Sequence, residues 1–198
     1  MTNSDADADG PPSPRVVILD YLPRGRSDDD RPQYQRSPVA LGVDADSFAL
    51  YELALADDAD ISIGDRVAIE GEERTPGIEA VNGIGYEDLT SGAESELEYA
   101  VEEIVEDEER RFVDFFNDAQ PITLRLHQLN LLPGIGKKLR NNVLDERKRG
   151  PFEGFDDLEE RVSGLHDPQE ILVERVLEEI REEEMKYRLF TDASASQG

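Results

Sequence analysis

The chain contains no cysteine and only two histidines among its 198 residues. Without cysteine it has no disulfide, no thiolate nucleophile and no Cys-ligated zinc or iron–sulfur cluster. The two histidines, His127 and His166, give little basis for a metal site, and we expect neither a metal nor another cofactor. No apolar run is long enough to cross a bilayer, and residues 1–14 are too polar for a signal peptide. We therefore expect a cytoplasmic protein with no membrane partner.

Basic residues are also scarce, with 21 Lys and Arg against 47 Asp and Glu and a net charge of −26. The acids are spread along the chain, and apolar periodicity persists through most of it, which argues against a disordered acidic chain. Dense surface carboxylates keep a protein soluble at high internal salt. The composition therefore predicts a halophilic archaeal source.

The first half of the chain consists of short, β-branched-rich runs separated by Gly, Pro and Asp turns. The predicted strands are 15–22, 37–43, 47–55, 66–70 and 78–84. Short strands at this spacing predict a small β-barrel of the OB or S1-like kind over residues 15–90, although a plain sheet with no binding role fits the same pattern.

A long connection over residues 23–36 separates the first two predicted strands. It contains Arg24 and Arg26 and follows Tyr21. Arginines beside an exposed aromatic are typical of single-stranded nucleic-acid contacts, so these three are candidate binding residues. A solvated loop is an equally good interpretation.

The rest of the chain has helical periodicity. We predict an amphipathic connecting helix over 91–118 and an all-α domain over 119–190. The two ends of the chain, residues 1–14 and 191–198, are predicted to be disordered tails. In the all-α domain the apolar spacing predicts helices at 124–132, from Lys137 to about Lys148, from Phe155, and from Pro168 with Asp167 as its cap. The fold class is α+β.

The segment Pro133-Gly134-Ile135-Gly136-Lys137-Lys138 separates the first two helices predicted in that domain. A Gly-rich turn leading into a helix presents backbone N–H groups that can hold a phosphate. Helix starts favour acids, yet this helix begins with two of the four lysines of the chain, Lys137 and Lys138. An external anion at the helix start accounts for them.

Residues 125–150 form a basic island with seven bases, two acids and a net charge of +5. The bases outside the turn are Arg125, Arg140, Arg147, Lys148 and Arg149. A basic island in so acidic a chain favours a polyanionic partner. The alternative is a packing turn with Ile135 in the core.

A second, degraded hairpin follows the first, with Ser163-Gly164-Leu165-His166 as its turn. Gly164 matches the first glycine of the earlier turn, and His166 stands in place of the second. Paired hairpins can bury a shared core, so the sequence predicts a tandem helix–hairpin–helix domain.

From about Arg15 to Phe190 the chain resembles an uncharacterised archaeal family with a small N-terminal barrel-like domain and a C-terminal helix–hairpin–helix domain. The segments that carry the resemblance are 19–23 with Gly25, 112–117, 122–127, 131–138, 151–152 and 186–187. The resemblance implies RNA or nucleotide binding and adds no catalytic residue. Arg140 departs from ordinary helix–hairpin–helix units, which have a small residue there.

The sequence thus predicts a non-enzymatic nucleic-acid-binding protein, with RNA favoured over DNA. Its contacts would be backbone N–H to phosphate, which read no base sequence. The alternative is an interaction module that docks on ribosomal or transcription proteins without touching nucleic acid.

Overall fold

The computed structural model describes residues 15–192, which form a curled antiparallel sheet packed against five α-helices. The strands are β1 (Arg15–Leu22), β2 (Val39–Asp44), β3 (Leu50–Leu55), β4 (Arg66–Ala68) and β5 (Ile78–Ile84). The helices are α1 (Ser91–Asp107), α2 (Glu109–Asp118), α3 (Lys137–Arg147), α4 (Phe155–Arg161) and α5 (Pro168–Arg181). All five predicted strands are present, and the predicted bounds of β1 and β5 are confirmed. The predicted tail 1–14 lies outside the described residues, as does 193–198.

The sheet is a half-barrel with the strand order β4-β1-β2-β3-β5, every neighbouring pair being antiparallel. Alternate residues face opposite sides, so Val16 and Ile18 point into the curl while Val17 and Leu19 face the helices. Within the described part of the chain, β4 and β5 do not pair, and the sheet stays open.

One hydrophobic core joins the sheet to the helices. It extends from Val17 on β1 through Ile104 on α1 to Ile180 on α5, with α1 packed against both β1 and α5. This core crosses all three segments predicted as separate units at 15–90, 91–118 and 119–190. Those boundaries stay a prediction.

The predicted continuous helix over 91–118 is in fact two helices. The break is at Glu108, whose backbone (φ −104°, ψ 31°) leaves the helical region. α1 buries Leu97 and Ile104, and α2 buries Phe112 and Phe116 in the same core.

The prediction of a helix over 124–132 is wrong. Residues 121–127 form a tight turn closed by a β-bridge between Pro121 and His127, and only a 3-10 helix, Gln128–Leu131, follows. The hydroxyl of Thr123 accepts hydrogen bonds from the amides of Arg125 (3.2 Å) and Leu126 (3.1 Å). Hydrogen bonds from a threonine side chain to nearby amides stabilise a turn as an alternative to the helix, and the turn is what forms here.

The predicted start of α5 is confirmed, and its C-terminal half anchors the end of the described chain. The Asp167 carboxylate accepts from the amide of Glu170 at 3.0 Å, with Pro168 at the first helical position. Further along, the fully buried Glu179 accepts hydrogen bonds at 2.7–3.2 Å from residues 189–191. Thr191 therefore belongs to the folded body, not to the predicted tail.

Glu179 also holds Arg175 by an ion pair of 2.8 Å. The same guanidinium donates to the carbonyl of Leu131 at 3.1 Å, just before the glycine turn. The last described residues are thus linked through two buried side chains to the candidate site.

Candidate nucleic-acid interface

The glycine turn is fixed by its backbone and by one buried side chain. Gly134 has φ +74°, a conformation that L-residues with a Cβ adopt only with strain. The amide of Ile135 donates to the carbonyl of Leu132 at 3.2 Å, and the Ile135 side chain is buried in the core. Ile135 therefore anchors the turn, and only its backbone is available to a ligand.

The start of α3 differs from the starts of the other four α-helices in residues 15–192. Gly136 is the N-cap, so no side chain caps the helix, and α3 alone among the five described α-helices has no acid in its first turn. The amides of Gly136, Lys137 and Lys138 have no hydrogen-bond acceptor among the described residues. Free amides at the positive end of a helix dipole attract anions.

The two hairpin turns meet at a groove of about 450 Å³. One wall contains Gly134, Gly136, Lys137 and Lys138, and the other contains Ser163 and Gly164 of the second turn. Asn142 connects the walls, because its side-chain amide donates to the carbonyl of Ser163 at 2.9 Å. The two lysines and the free amides therefore line one concave surface.

Arg140 is one turn further along α3 and belongs to a polar network beside the turn. Its guanidinium donates to the Asn130 side chain at 3.0 Å, and Asn130 donates to the carbonyl of Ile135 at 3.2 Å. Arg140 therefore braces the turn instead of packing the two arms of the hairpin together, as a small residue at that position would.

His127 lies near the same network. Burial lowers its pKa below the usual value, and the nearby charges of Arg147 and Arg140 lower it further. Its Nδ1 accepts from the amide of Leu129 at 3.1 Å and so caps the 3-10 helix. His127 is a structural residue in this arrangement.

A family model described as a protein of unknown function, DUF655, matches residues 13–192. The chain belongs to the DUF655 family. It is 41% identical over 175 residues to the uncharacterized protein MJ0038 of Methanocaldococcus jannaschii, covering 87% of this chain and 77% of that protein. The crystal structure of the DUF655 protein Af1531 from Archaeoglobus fulgidus is similar, with a TM-score of 0.82 and 40% identity over 90% of this chain and 99% of the other. The archaeal family predicted from the sequence is thus confirmed.

In this DUF655 protein the bases at the far end of α3 do not join the groove. Arg147 donates to the carbonyls of Phe116 (3.2 Å) and Ala119 (2.9 Å), which closes the C-terminal end of α2. Lys148 and Arg149 are exposed and form surface ion pairs with Asp145 (3.3 Å) and Glu146 (3.1 Å). The basic island is therefore split between the two ends of one helix.

Two of the three predicted residues of the N-terminal half, Arg24 and Arg26, line a separate open groove of about 870 Å³ beside the start of α1. Arg26 is committed there to an ion pair with Glu52 and to the carbonyl of Asp88 at 2.7 Å. Arg24 is exposed in the same groove, whereas Tyr21 packs against the inner face of the sheet. Tyr21 is therefore poorly placed to stack on a base, and Arg24 is the more accessible residue.

Sequence reasoning overlooked the second wall of the α3 groove. It treated Ser163 and Gly164 as a degraded structural copy and did not assign Asn142 or Leu139 to the site, although both line the groove. The repeated glycine-turn pattern was the available signal, since the two turns line the same groove.

In residues 15–192 no group of three or more His, Cys, Asp or Glu side chains can hold a metal ion. No helix in that range is long and apolar enough to span a membrane.

Proposed function

We propose that this protein binds nucleic acid without catalysing a reaction, and that it holds a backbone phosphate at the start of α3. One observation carries the proposal: in a chain with a net charge of −26, the only one of the five described α-helices with no acid in its first turn has free amides and two lysines there. The amides would donate to the phosphate oxygens, and the Lys137 and Lys138 ammonium groups would neutralise its charge.

The ligand we favour is RNA, and the site is suited to a salty cytoplasm. At molar salt the Debye length is about 3 Å, so distant charges contribute little to binding. Short hydrogen bonds from backbone amides still operate at that range, which favours the turn over a broad lysine patch. The abundance of acids along the chain supports our inference of a halophilic organism.

We infer that the two hairpins form a tandem unit of the helix–hairpin–helix kind. The first is abbreviated, since a 3-10 helix stands where its first α-helix would be, and the second is α4, its turn and α5. The groove between the two glycine turns supports this interpretation. The half-barrel would then be an open relative of OB or S1-like sheets, placing Arg24 as a secondary RNA contact.

The test compares the two ends of α3 by the same change of charge. Lys137→Glu/Lys138→Glu should lower affinity for a short, labelled, mixed-sequence RNA by at least about a hundredfold, because two charge-assisted contacts of roughly 1.5–3 kcal/mol each are lost. Lys148→Glu/Arg149→Glu makes the same change at the far end and should cost much less. Fluorescence anisotropy with matched RNA and DNA strands, at low and molar KCl, measures both variants and the RNA preference.

An equal loss in the two variants would indicate non-specific attraction and contradict the proposed site. Crosslinking and sequencing of RNA in cells then identifies the target, with the Lys137→Glu/Lys138→Glu variant as background. If wild type and variant recover the same background, the alternative applies: a module that docks on ribosomal or transcription proteins. In that case charge reversal at α3 would leave the protein partner bound.

A further inference from the structure

The tight turn before the 3-10 helix is a rigid finger, defined here as residues 120–128. At its base, Gln120 and Gln128 exchange hydrogen bonds of 2.7 and 3.0 Å beside the bridge between Pro121 and His127. Nearer the tip, the amides of Ile122 and Thr123 donate to the carbonyl of Leu126 at 2.8 and 3.0 Å. With the Thr123 hydroxyl bonds, these contacts leave the finger little freedom to fold back on the protein.

The tip of the finger presents an apolar side chain to solvent. Leu124 has a relative exposure of 107%, against 52% for Ile63, the other large aliphatic residue that stands out as exposed. The next residue, Arg125, is also exposed, and its guanidinium forms no ion pair or hydrogen bond within residues 15–192. Single exposed leucines are common on proteins. A leucine held out on a closed finger beside an uncommitted arginine is a more specific arrangement.

The finger and the glycine turn share a stretch of chain without acids. Residues 119–144 contain no Asp or Glu, although acids make up 47 of the 198 residues. The same stretch contains Arg125, Lys137, Lys138 and Arg140. A polyanion can therefore contact the finger and the start of α3 without meeting a carboxylate from this segment.

The finger is also physically connected to the proposed phosphate site. The carbonyl of His127, at its base, accepts from the amide of Asn130 at 2.9 Å, and the Asn130 side chain accepts from Arg140 and donates to the turn carbonyl of Ile135. Leu124 is three positions from each residue of the bridge, so the tip extends at most about 10 Å from it, or about three stacked nucleotides at 3.4 Å each. The finger and the glycine turn are therefore neighbours in one hydrogen-bonded network.

We propose that Leu124 inserts between adjacent bases of the strand whose phosphate lies at the start of α3, with Arg125 on a neighbouring phosphate. This inference rests on the proposed function. Leucine is among the apolar side chains that proteins use as wedges between bases, and arginine beside it supplies the charge. A protein partner is less well matched, because one leucine and one arginine present much less area than a stable protein interface needs.

The experiment uses short RNA strands with 2-aminopurine at successive positions, since the fluorescence of this base rises when it is unstacked. Wild-type protein should raise the signal at one or two adjacent positions. Leu124→Ala should abolish that rise at saturation and weaken binding by about five- to a hundredfold, the range for one base contact. Leu124→Met keeps an apolar side chain of similar size and should retain the signal.

Two controls separate folding from binding. Leu124 buries nothing in the protein, so Leu124→Ala should leave the melting temperature unchanged. Ile63→Ala removes another exposed aliphatic side chain and should change neither fluorescence nor affinity. An unaltered fluorescence rise in Leu124→Ala, while Lys137→Glu/Lys138→Glu loses binding, would overturn the wedge and leave the proposed function standing. Absence of RNA binding by the wild type would overturn both.

Discussion

The two glycine turns that line the α3 groove have similar backbone conformations, but the helices that follow them begin with opposite charges. Each has a glycine with positive φ, Gly134 at +74° and Gly164 at +90°, and both line one groove. In the second turn, Asp167 accepts from the amide of Glu170, and Glu170 adds an acid to the first turn of α5. In the first, the corresponding amides of α3 have no capping side chain, and lysines occupy its first two positions.

In the second turn a side chain of the protein accepts a hydrogen bond from a free amide at the start of α5, whereas in the first turn no side chain does so for α3. A capping carboxylate stabilises a helix start by about 1 kcal/mol, and an acid near the dipole adds some tenths. α3 lacks both contributions although acids are abundant in this chain. An unsatisfied helix start beside a self-contained one is the expected arrangement when one hairpin binds a ligand and the other supports it.

The largest expected effect comes from converting the first turn into a copy of the second. Gly136→Asp places a carboxylate at the N-cap, where it can accept from the α3 amides and occupy the place proposed for phosphate. A Cβ at Gly136 meets no atom within 4 Å, and φ is −82°, so the change fits without strain. We expect a loss of RNA affinity of roughly a hundredfold, with a gain of a few tenths of a kcal/mol in the free energy of unfolding.

Anisotropy titration measures the expected loss of RNA affinity, and chemical denaturation measures the expected gain in the free energy of unfolding. Gly136→Ala is the matched control, since it adds a Cβ without a carboxylate and should retain most of the affinity. Arg31→Ala, in the loop over residues 23–36, should also weaken binding less than Gly136→Asp does. Equal losses in Gly136→Asp and Arg31→Ala would show that the turn is not the dominant contact.

A smaller effect should separate stability from binding at the two glycines. Gly134→Ala and Gly164→Ala each force alanine into the left-handed region, at a cost of about 1–2 kcal/mol of unfolding free energy. The added Cβ meets nothing within 4 Å at Gly134, and only the Leu139 side chain at 3.8 Å at Gly164. The stability losses should therefore be similar. Affinity measured under folding conditions should fall clearly only for Gly134→Ala, and a matching fall for Gly164→Ala would make the two turns equal partners in binding.

The smallest effect concerns the histidine before the first turn. Burial, with Arg147 and Arg140, lowers the pKa of His127, so the folded protein binds a proton there less readily than the unfolded chain. The free energy of unfolding should therefore fall as the pH drops below about 6.5, the ordinary histidine value. His127→Asn keeps a cap for the Leu129 amide and should flatten this part of the pH profile. His166→Asn, at an exposed histidine in the second turn, is the control substitution, and an identical flattening there would contradict the assignment.

Local patterns predicted much of the fold because the residues involved act on their neighbours. The β-branched run of β1 and the Asp167-Pro168 helix start were predicted with their bounds. The segment 124–132 was predicted wrongly because its apolar spacing fits an α-helix as well as it fits the observed turn and 3-10 helix. The bonds of Thr123 to two nearby amides decided against that helix. No local pattern around Glu108 predicted the break there.

The candidate site also contains residues that local patterns could predict and residues that they could not. The free helix start at Gly136 to Lys138 could be predicted, since it depends only on adjacent residues. Arg147 could not be assigned, because its carbonyl partners Phe116 and Ala119 lie at the C-terminal end of another helix, α2. Ser163 and Asn142 joined the groove only through the packing of the second hairpin on α3.

The buried ion pair of Glu179 and Arg175 makes the folded body depend on residues 189–191. A chain cut short before residue 189 would leave the Glu179 carboxylate in the core without the three amides and the hydroxyl that now surround it. Arg175, which also donates to the carbonyl of Leu131 ahead of the glycine turn, would be left as the hydrogen-bond partner of that carboxylate among the described residues. Chains that end before residue 189 should therefore be less stable at the point where α5 is bonded to the glycine turn.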